Sequence, residues 1–189
     1  MYHPTDDQGP VEVGSNTHLE EYAMAKITFK GNAVTTNGEL PKKGAQAPAF
    51  HLVDAGLNDV TLAIYKGKKK VLNIVPSLDT GICAISAKTF NEAAPAQKDT
   101  TFLTISADLP FAQGRFCKAE NVANIITLSM MRSRNFAKDY GVLMNDGPLA
   151  GICARAVVVL DANDKVLYTE LVPEITQEPN YAAALAALK

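Results

Sequence analysis

The stretch Pro76-Ser77-Leu78-Asp79-Thr80-Gly81-Ile82-Cys83 holds the residues best suited to do chemistry. It follows the short apolar run Val71–Val75 and precedes a helical pattern. A buried strand that delivers a loop, and then a cysteine at the start of a helix, has a definite electrostatic consequence. The first helical N–H groups are unpaired and carry partial positive charge, which favours thiolate over thiol. The thiolate is the nucleophilic form of sulfur. Thr80, three residues before Cys83, can fold back to bring its hydroxyl to the sulfur. Pro76 has no N–H to donate and can screen a pocket from water. A cysteine at a helix start is, by itself, more often a small buried apolar residue. The combination with Pro and Thr at these offsets makes the pattern specific.

Two other cysteines, Cys117 and Cys153, bring the count to three. An odd number argues against the disulfide framework of a secreted protein. It fits an intracellular, cytoplasmic chain in which one pair works as a redox couple. Cys153, between Ile152 and Ala154 beside an apolar run, reads as a core residue. No C-x-x-C occurs, and His3, His18 and His51 form no pair with metal-ligand spacing, so neither a structural zinc site nor another metal site is expected. Thr89, not an arginine, stands six residues after Cys83, which removes support for a cysteine-phosphatase loop. Gly-rich phosphate loops are absent, and no cofactor is implied.

The elements that must position these residues follow from periodicity and turn residues. Ile27–Phe29 and Ala33–Thr35, around Lys30-Gly31-Asn32, predict an N-terminal β-hairpin. Ala49–Val53 predicts a strand, and Asp54–Asp59 a turn-rich segment. Val71–Val75 predicts a central strand and Cys83–Ala94 a helix closed by Pro95. Thr101–Ser106 predicts a second buried strand. Asp108–Cys117 reads as a loop or short helix, polar enough to move, and Val122–Leu128 as a strand or turn. Asn135–Tyr140 predicts a helix stopped by Gly141. Arg155–Leu160 and Val166–Val172, joined by a tight turn at Asp161–Asp164, predict an antiparallel pair. A C-terminal Ala/Leu helix should start near Pro179-Asn180. Strand–helix–strand crossovers followed by a late hairpin predict an α/β fold: a mixed central sheet flanked by helices, in a thioredoxin-like order.

Composition narrows the function classes. At 189 residues, one domain is expected, spanning 24–189. Residues 1–23, polar and acidic, read as a tail or leader rather than a signal peptide. A formal net charge of -2 gives no basic field for nucleic acid or anionic lipid. The run Lys68-Lys69-Lys70 reads as a solvated turn, and no apolar stretch approaches the roughly 20 residues that cross a bilayer.

The spacing Pro-x-x-x-Thr-x-x-Cys, met by Pro76, Thr80 and Cys83, resembles the active-site signature of peroxiredoxins. The wider string Val71–Ala84 is similar to the bacterial thiol peroxidases, which are atypical two-cysteine peroxiredoxins. So are Ser106–Gln113 with Arg115-Phe116-Cys117, then Ala154–Val159, then Tyr168–Thr176. The likeness runs from about Ile27 to Lys189. It implies that Cys83 is the peroxidatic cysteine, that Thr80 orients peroxide and thiolate, and that Pro76 shields them. It implies that Arg155 holds the thiolate and the peroxide oxygen. Cys117, 34 residues after Cys83, would be the resolving cysteine that closes an intramolecular disulfide. It further implies hydroperoxide substrates, thioredoxin as reductant and a homodimer. Apolar flanks at Leu78, Ile82 and Phe111 point toward organic hydroperoxides. A non-enzymatic redox sensor or holdase, using the same oxidation to change a partner surface, is the competing class.

Overall fold

The computed structural model describes residues 24–189; the expected tail, residues 1–23, lies outside them. Strands β1 (Lys26–Phe29) and β2 (Asn32–Thr35) pair as the expected hairpin. Its turn is Lys30-Gly31, both at positive φ (52° and 77°), and Asn32 already belongs to β2. Two positive φ values match the twist of a tight hairpin.

The main sheet has seven strands in the order β4-β3-β7-β6-β5-β8-β9. These are β3 (His51–Val53), β4 (Asp59–Thr61), β5 (Lys69–Ile74), β6 (Thr100–Ser106), β7 (Ile126–Ser129), β8 (Ala156–Leu160) and β9 (Val166–Leu171). β5, β6 and β7 run parallel, β8 runs antiparallel to β5, and β9 antiparallel to β8, giving the mixed sheet expected. Helices α1 (Gly81–Ala93) and α2 (Pro110–Ala119) form the crossovers. α3 (Asn135–Asp139) follows β7, and α4 (Tyr181–Ala186) closes the chain, its N-terminus capped by the Asn180 side chain. No helix among the described residues is long and apolar enough to cross a membrane.

The central strands are buried on both faces, and their period of two divides the core. Leu72, Ile74, Leu103, Ile105, Ala156 and Val158 face one cluster with Phe136 and Tyr140. Val71, Phe102, Val157 and Val159 face the other, under Ala87 and Phe90 of α1 and Ala184 of α4. Burying a side chain such as Phe90 contributes on the order of 2 kcal/mol. Cys83 belongs to this second cluster, so the packing of α1 seats the sulfur directly against the sheet. A third cluster, with Ile27, Val34, Met144, Ala154 and Ile175, fastens the hairpin to the body.

Several local expectations are corrected. β4 and a short 3₁₀ turn at Leu62–Tyr65 were not visible in the sequence pattern. Asp59–Thr61 is three residues long and gains its strand form only by pairing with β3. Of the lysine run, expected as a solvated turn before a strand, only Lys68 lies in an exposed turn. Lys69 and Lys70 open β5, and Lys70 is fully buried, paired with Asp164. The cause is register: Lys70 stands opposite Leu160, and the β8–β9 turn carries Asp164 over its ammonium. Gly141 does end the α3 region, at φ 66°, where a Cβ would lie 2.1 Å from the Glu39 carbonyl oxygen.

Removing one member of a buried ion pair strands the other. Asp164→Asn should therefore lower the urea-unfolding free energy by about 3 kcal/mol. Adding Lys70→Met should restore most of the loss, measured by the same titration.

Candidate active site

α1 begins two residues before Cys83, with Thr80 as its N-cap residue. Cys83 thus sits in the first turn, among the helical N–H groups that have no intrahelical acceptor. A threonine at this position normally caps those N–H groups. Here it makes no cap hydrogen bond. Its Oγ1 lies 2.8 Å from the Cys83 Sγ and 3.1 Å from the Ser77 carbonyl oxygen. One hydroxyl proton therefore has two acceptors. It can serve the sulfur when that is thiolate, and the carbonyl when the thiol itself donates.

The Arg155 side chain approaches the sulfur from the sheet. Arg155 immediately precedes β8 and is 2% exposed. Its Nε donates to the Ile175 carbonyl at 3.0 Å, and its Nη2 lies 3.4 Å from the Cys83 Sγ. The remaining Nη1 is buried with no hydrogen-bond partner among the described residues. No carboxylate among those residues pairs with this guanidinium. Cys83 itself is 0% exposed.

Pro76, Thr80 and Arg155 share the wall of one cavity of about 470 Å³. Phe29, Ile82, Ile85, Leu149, Ile152 and Ile175 give it an apolar lining. Of the three apolar flanks expected near the site, only Ile82 lines it. Leu78 is buried in the core, and Phe111 stands 67% exposed on α2. Ile85 comes from α1 itself. Phe29, Leu149, Ile152 and Ile175 come from β1, the 149–152 loop and the segment after β9, and no local spacing links them to Cys83.

The loop is held from below by Asp108. Its carboxylate accepts from Ser77 Oγ, the Leu78 amide and Ser106 Oγ, each at 2.7 Å. Gln113 of α2 donates in turn to Ser106 Oγ at 2.9 Å. The strand end, the cysteine loop and α2 thus share one polar network.

Cys117 is not on a loop. It lies in the last turn of α2, half-buried, and lines a separate hollow of about 370 Å³ with Asp54, Gly114 and Val122. Pro110 at the first helical turn starts α2 rather than breaking it. All three cysteines are free thiols. Cys153 is wholly buried, 3.5 Å from the Met130 sulfur.

A family model described as Redoxin matches residues 42–185. A thiol peroxidase of Mycobacterium bovis is 54% identical over 165 residues, which are 87% of this chain and 99% of that protein. The chain belongs to the thiol peroxidases of the redoxin family. It is accordingly a peroxiredoxin enzyme, and thiol-dependent peroxide reduction is its chemistry. Two solved structures agree with this peroxiredoxin fold. A peroxiredoxin-like protein from Aquifex aeolicus superposes with a TM-score of 0.82 at 41% identity, covering 87% of this chain and 96% of that one. A thiol peroxidase from Chromobacterium violaceum gives 0.80 at 25% identity, covering 86% and 95%.

Within this peroxiredoxin the thiols differ in environment. Burial pushes the Cys153 thiol far above the range of free cysteine. Burial also raises the Cys117 thiol, partly offset by a hydrogen bond from Thr127. A raised pKa means a smaller thiolate fraction at any given pH. In the folded, reduced protein, iodoacetamide should modify both slowly at neutral pH. Cys117 should gain reactivity first as pH rises past the range of free cysteine. Peptide mass mapping reads the order; Cys153 modified ahead of Cys117 would contradict it.

Proposed function

We propose that Cys83 is the peroxidatic nucleophile and that hydroperoxides bind in the cavity beside it. One observation carries the reading: a buried cysteine sulfur touched by a hydroxyl and by a guanidinium that has no carboxylate partner among the described residues. The thiolate attacks the terminal oxygen of the hydroperoxide. A sulfur–oxygen bond forms, the O–O bond breaks and an alkoxide leaves, taking a proton to become an alcohol or water. Sulfur is oxidised by two electrons to a sulfenic acid. Arg155 and Thr80 supply fixed positive potential where charge moves in the transition state. The unpartnered Nη1 of Arg155 is available to the peroxide oxygen. Pro76, buried and without an N–H, keeps one side of the sulfur dry.

Cys117 then attacks the sulfenic sulfur, forming the Cys83–Cys117 disulfide and releasing water. Cys83 is fully buried in the first turn of α1, and Cys117 is packed in the last turn of α2. Both turns must open for the sulfurs to meet. The charged bridges across this region are weak. Asp79–Arg115 and Lys88–Glu120 are both exposed pairs, of the kind that contribute at most about 1 kcal/mol each. An external dithiol reduces the disulfide by exchange, and thioredoxin is the reductant that the family supports. A homodimer working in the cytoplasm belongs to the same reading. The apolar cavity favours organic hydroperoxides alongside hydrogen peroxide.

Cys83→Ser should abolish peroxide consumption in a coupled thioredoxin assay. Cys117→Ser should react once and then accumulate sulfinic acid at Cys83, seen as a mass gain of two oxygens. A Cys117→Ser enzyme that turns over normally would remove that residue from the cycle.

Arg155→Ala should slow single-turnover oxidation of Cys83 by about 10²–10³-fold. Stopped-flow kinetics checks this. A rate within a factor of three of the unmodified enzyme would exclude the guanidinium from the transition state.

A further inference from the structure

Glu174 lies outside the cavity, yet its carboxylate joins two of the cavity's walls. One oxygen accepts from the Lys30 amide at 3.0 Å, the Thr176 amide at 3.0 Å and the Thr176 hydroxyl at 2.7 Å. The other accepts from the Thr28 hydroxyl at 2.8 Å and the Gly31 amide at 3.0 Å. Lys30 and Gly31 are the positive-φ residues of the hairpin turn. Their successive amides converge as an anion-binding nest. Backbone bonds also hold the start of the hairpin to the same segment: Thr28 N–H donates to Pro173 O, and Ile175 N–H donates to Thr28 O. Beyond Thr28, the carboxylate reaches the turn itself.

The residues on either side of this clasp line the cavity. Phe29 and Lys30 belong to the hairpin wall, and Ile175 and Thr176 to the facing segment. The same hydrogen bonds hold the carboxyl well below the usual carboxylate range, so it stays an anion at any working pH.

We propose that Glu174 is a positioning residue that sets the width of the hydroperoxide cavity by clasping the β1–β2 turn to the 173–176 segment. The proposal rests on the reading of that cavity as the hydroperoxide site. A bulky organic hydroperoxide reaches Phe29 with its apolar tail. Hydrogen peroxide occupies only the polar end, at Thr80 and Arg155. The backbone bonds at Thr28 still hold the segment whose Ile175 carbonyl orients Arg155. Loosening the turn beyond them therefore weakens binding of the large substrate and spares the small one. Loss of binding shared by ground and transition states raises KM and leaves kcat alone.

Steady-state kinetics with cumene hydroperoxide and with hydrogen peroxide test this on the full chain. Glu174→Ala should raise KM for cumene hydroperoxide about tenfold, the scale of losing one apolar contact region. Its kcat, and both constants for hydrogen peroxide, should change less than about threefold. Glu174→Gln, which keeps the shape and one strong acceptor, should fall between and serves alone if the alanine variant does not fold. In an enzyme already carrying Phe29→Ala, the Glu174 substitution should add little to KM for cumene hydroperoxide. Equal losses on both substrates, a fall confined to kcat, or no change in either variant overturns the proposal. Failure of the unsubstituted enzyme to consume either hydroperoxide instead overturns the underlying reading of the cavity.

Discussion

A guanidinium taken out of water, with no carboxylate among the described residues beside it, is the constraint on which this site depends. Arg155 is 2% exposed, and its Nη2 touches a sulfur instead of an oxyanion. Burying an unpaired cation is costly, by several kcal/mol after relaxation. An anion at Cys83 relieves that cost. On the proposed reading of Cys83 as the nucleophile, its thiolate doubles as the counter-ion of the arginine. The apolar sheet, the packing of α1 and the dry wall at Pro76 strengthen that coupling by excluding water.

Positioning of the sulfur comes from two directions that share no local sequence. From the chain side, β5 ends, the Asp108 network holds the loop, and Thr80 gives up its cap in order to serve the sulfur. A helix start that breaks its own capping preference is the kind of local conflict that functional sites tolerate. From the sheet side, Arg155 arrives at the foot of β8, a strand made central by pairing with both β5 and β9. On the proposed function, attack at Cys83 and resolution by Cys117 make opposite demands on this arrangement. The first needs the α1 turn closed and dry, the second needs it open.

The strand–loop–helix unit was legible in the sequence because its information is local. Apolar Val71–Val75, Pro76, Thr80 and Cys83 lie within thirteen residues, and turn and helix chemistry read at that range. Arg155 was not legible from spacing; only the family resemblance singled it out, since its meeting with Cys83 spans 72 residues. The Asp108–Cys117 stretch reads equally as a loop or a short helix, because Pro110 and Gly114 weaken a helical pattern; Pro110 in fact occupies the helix start. The burial of Lys70 is hidden for a related reason. Its partner Asp164 is 94 residues away, and a lysine triplet carries no mark of which member faces inward. The cavity wall assembled from Phe29, Leu149, Ile152 and Ile175 is wholly a product of tertiary contact.

The acceptor that orients Arg155 is the main-chain carbonyl of Ile175. A carbonyl is common to every residue type. The anchoring of the charge is therefore indifferent to which side chain stands at position 175, provided the backbone path holds. That same side chain lines the cavity. One residue thus divides its duties between an invariant backbone role and a replaceable lining role, which leaves the shape of the pocket free to drift while the electrostatics stay put.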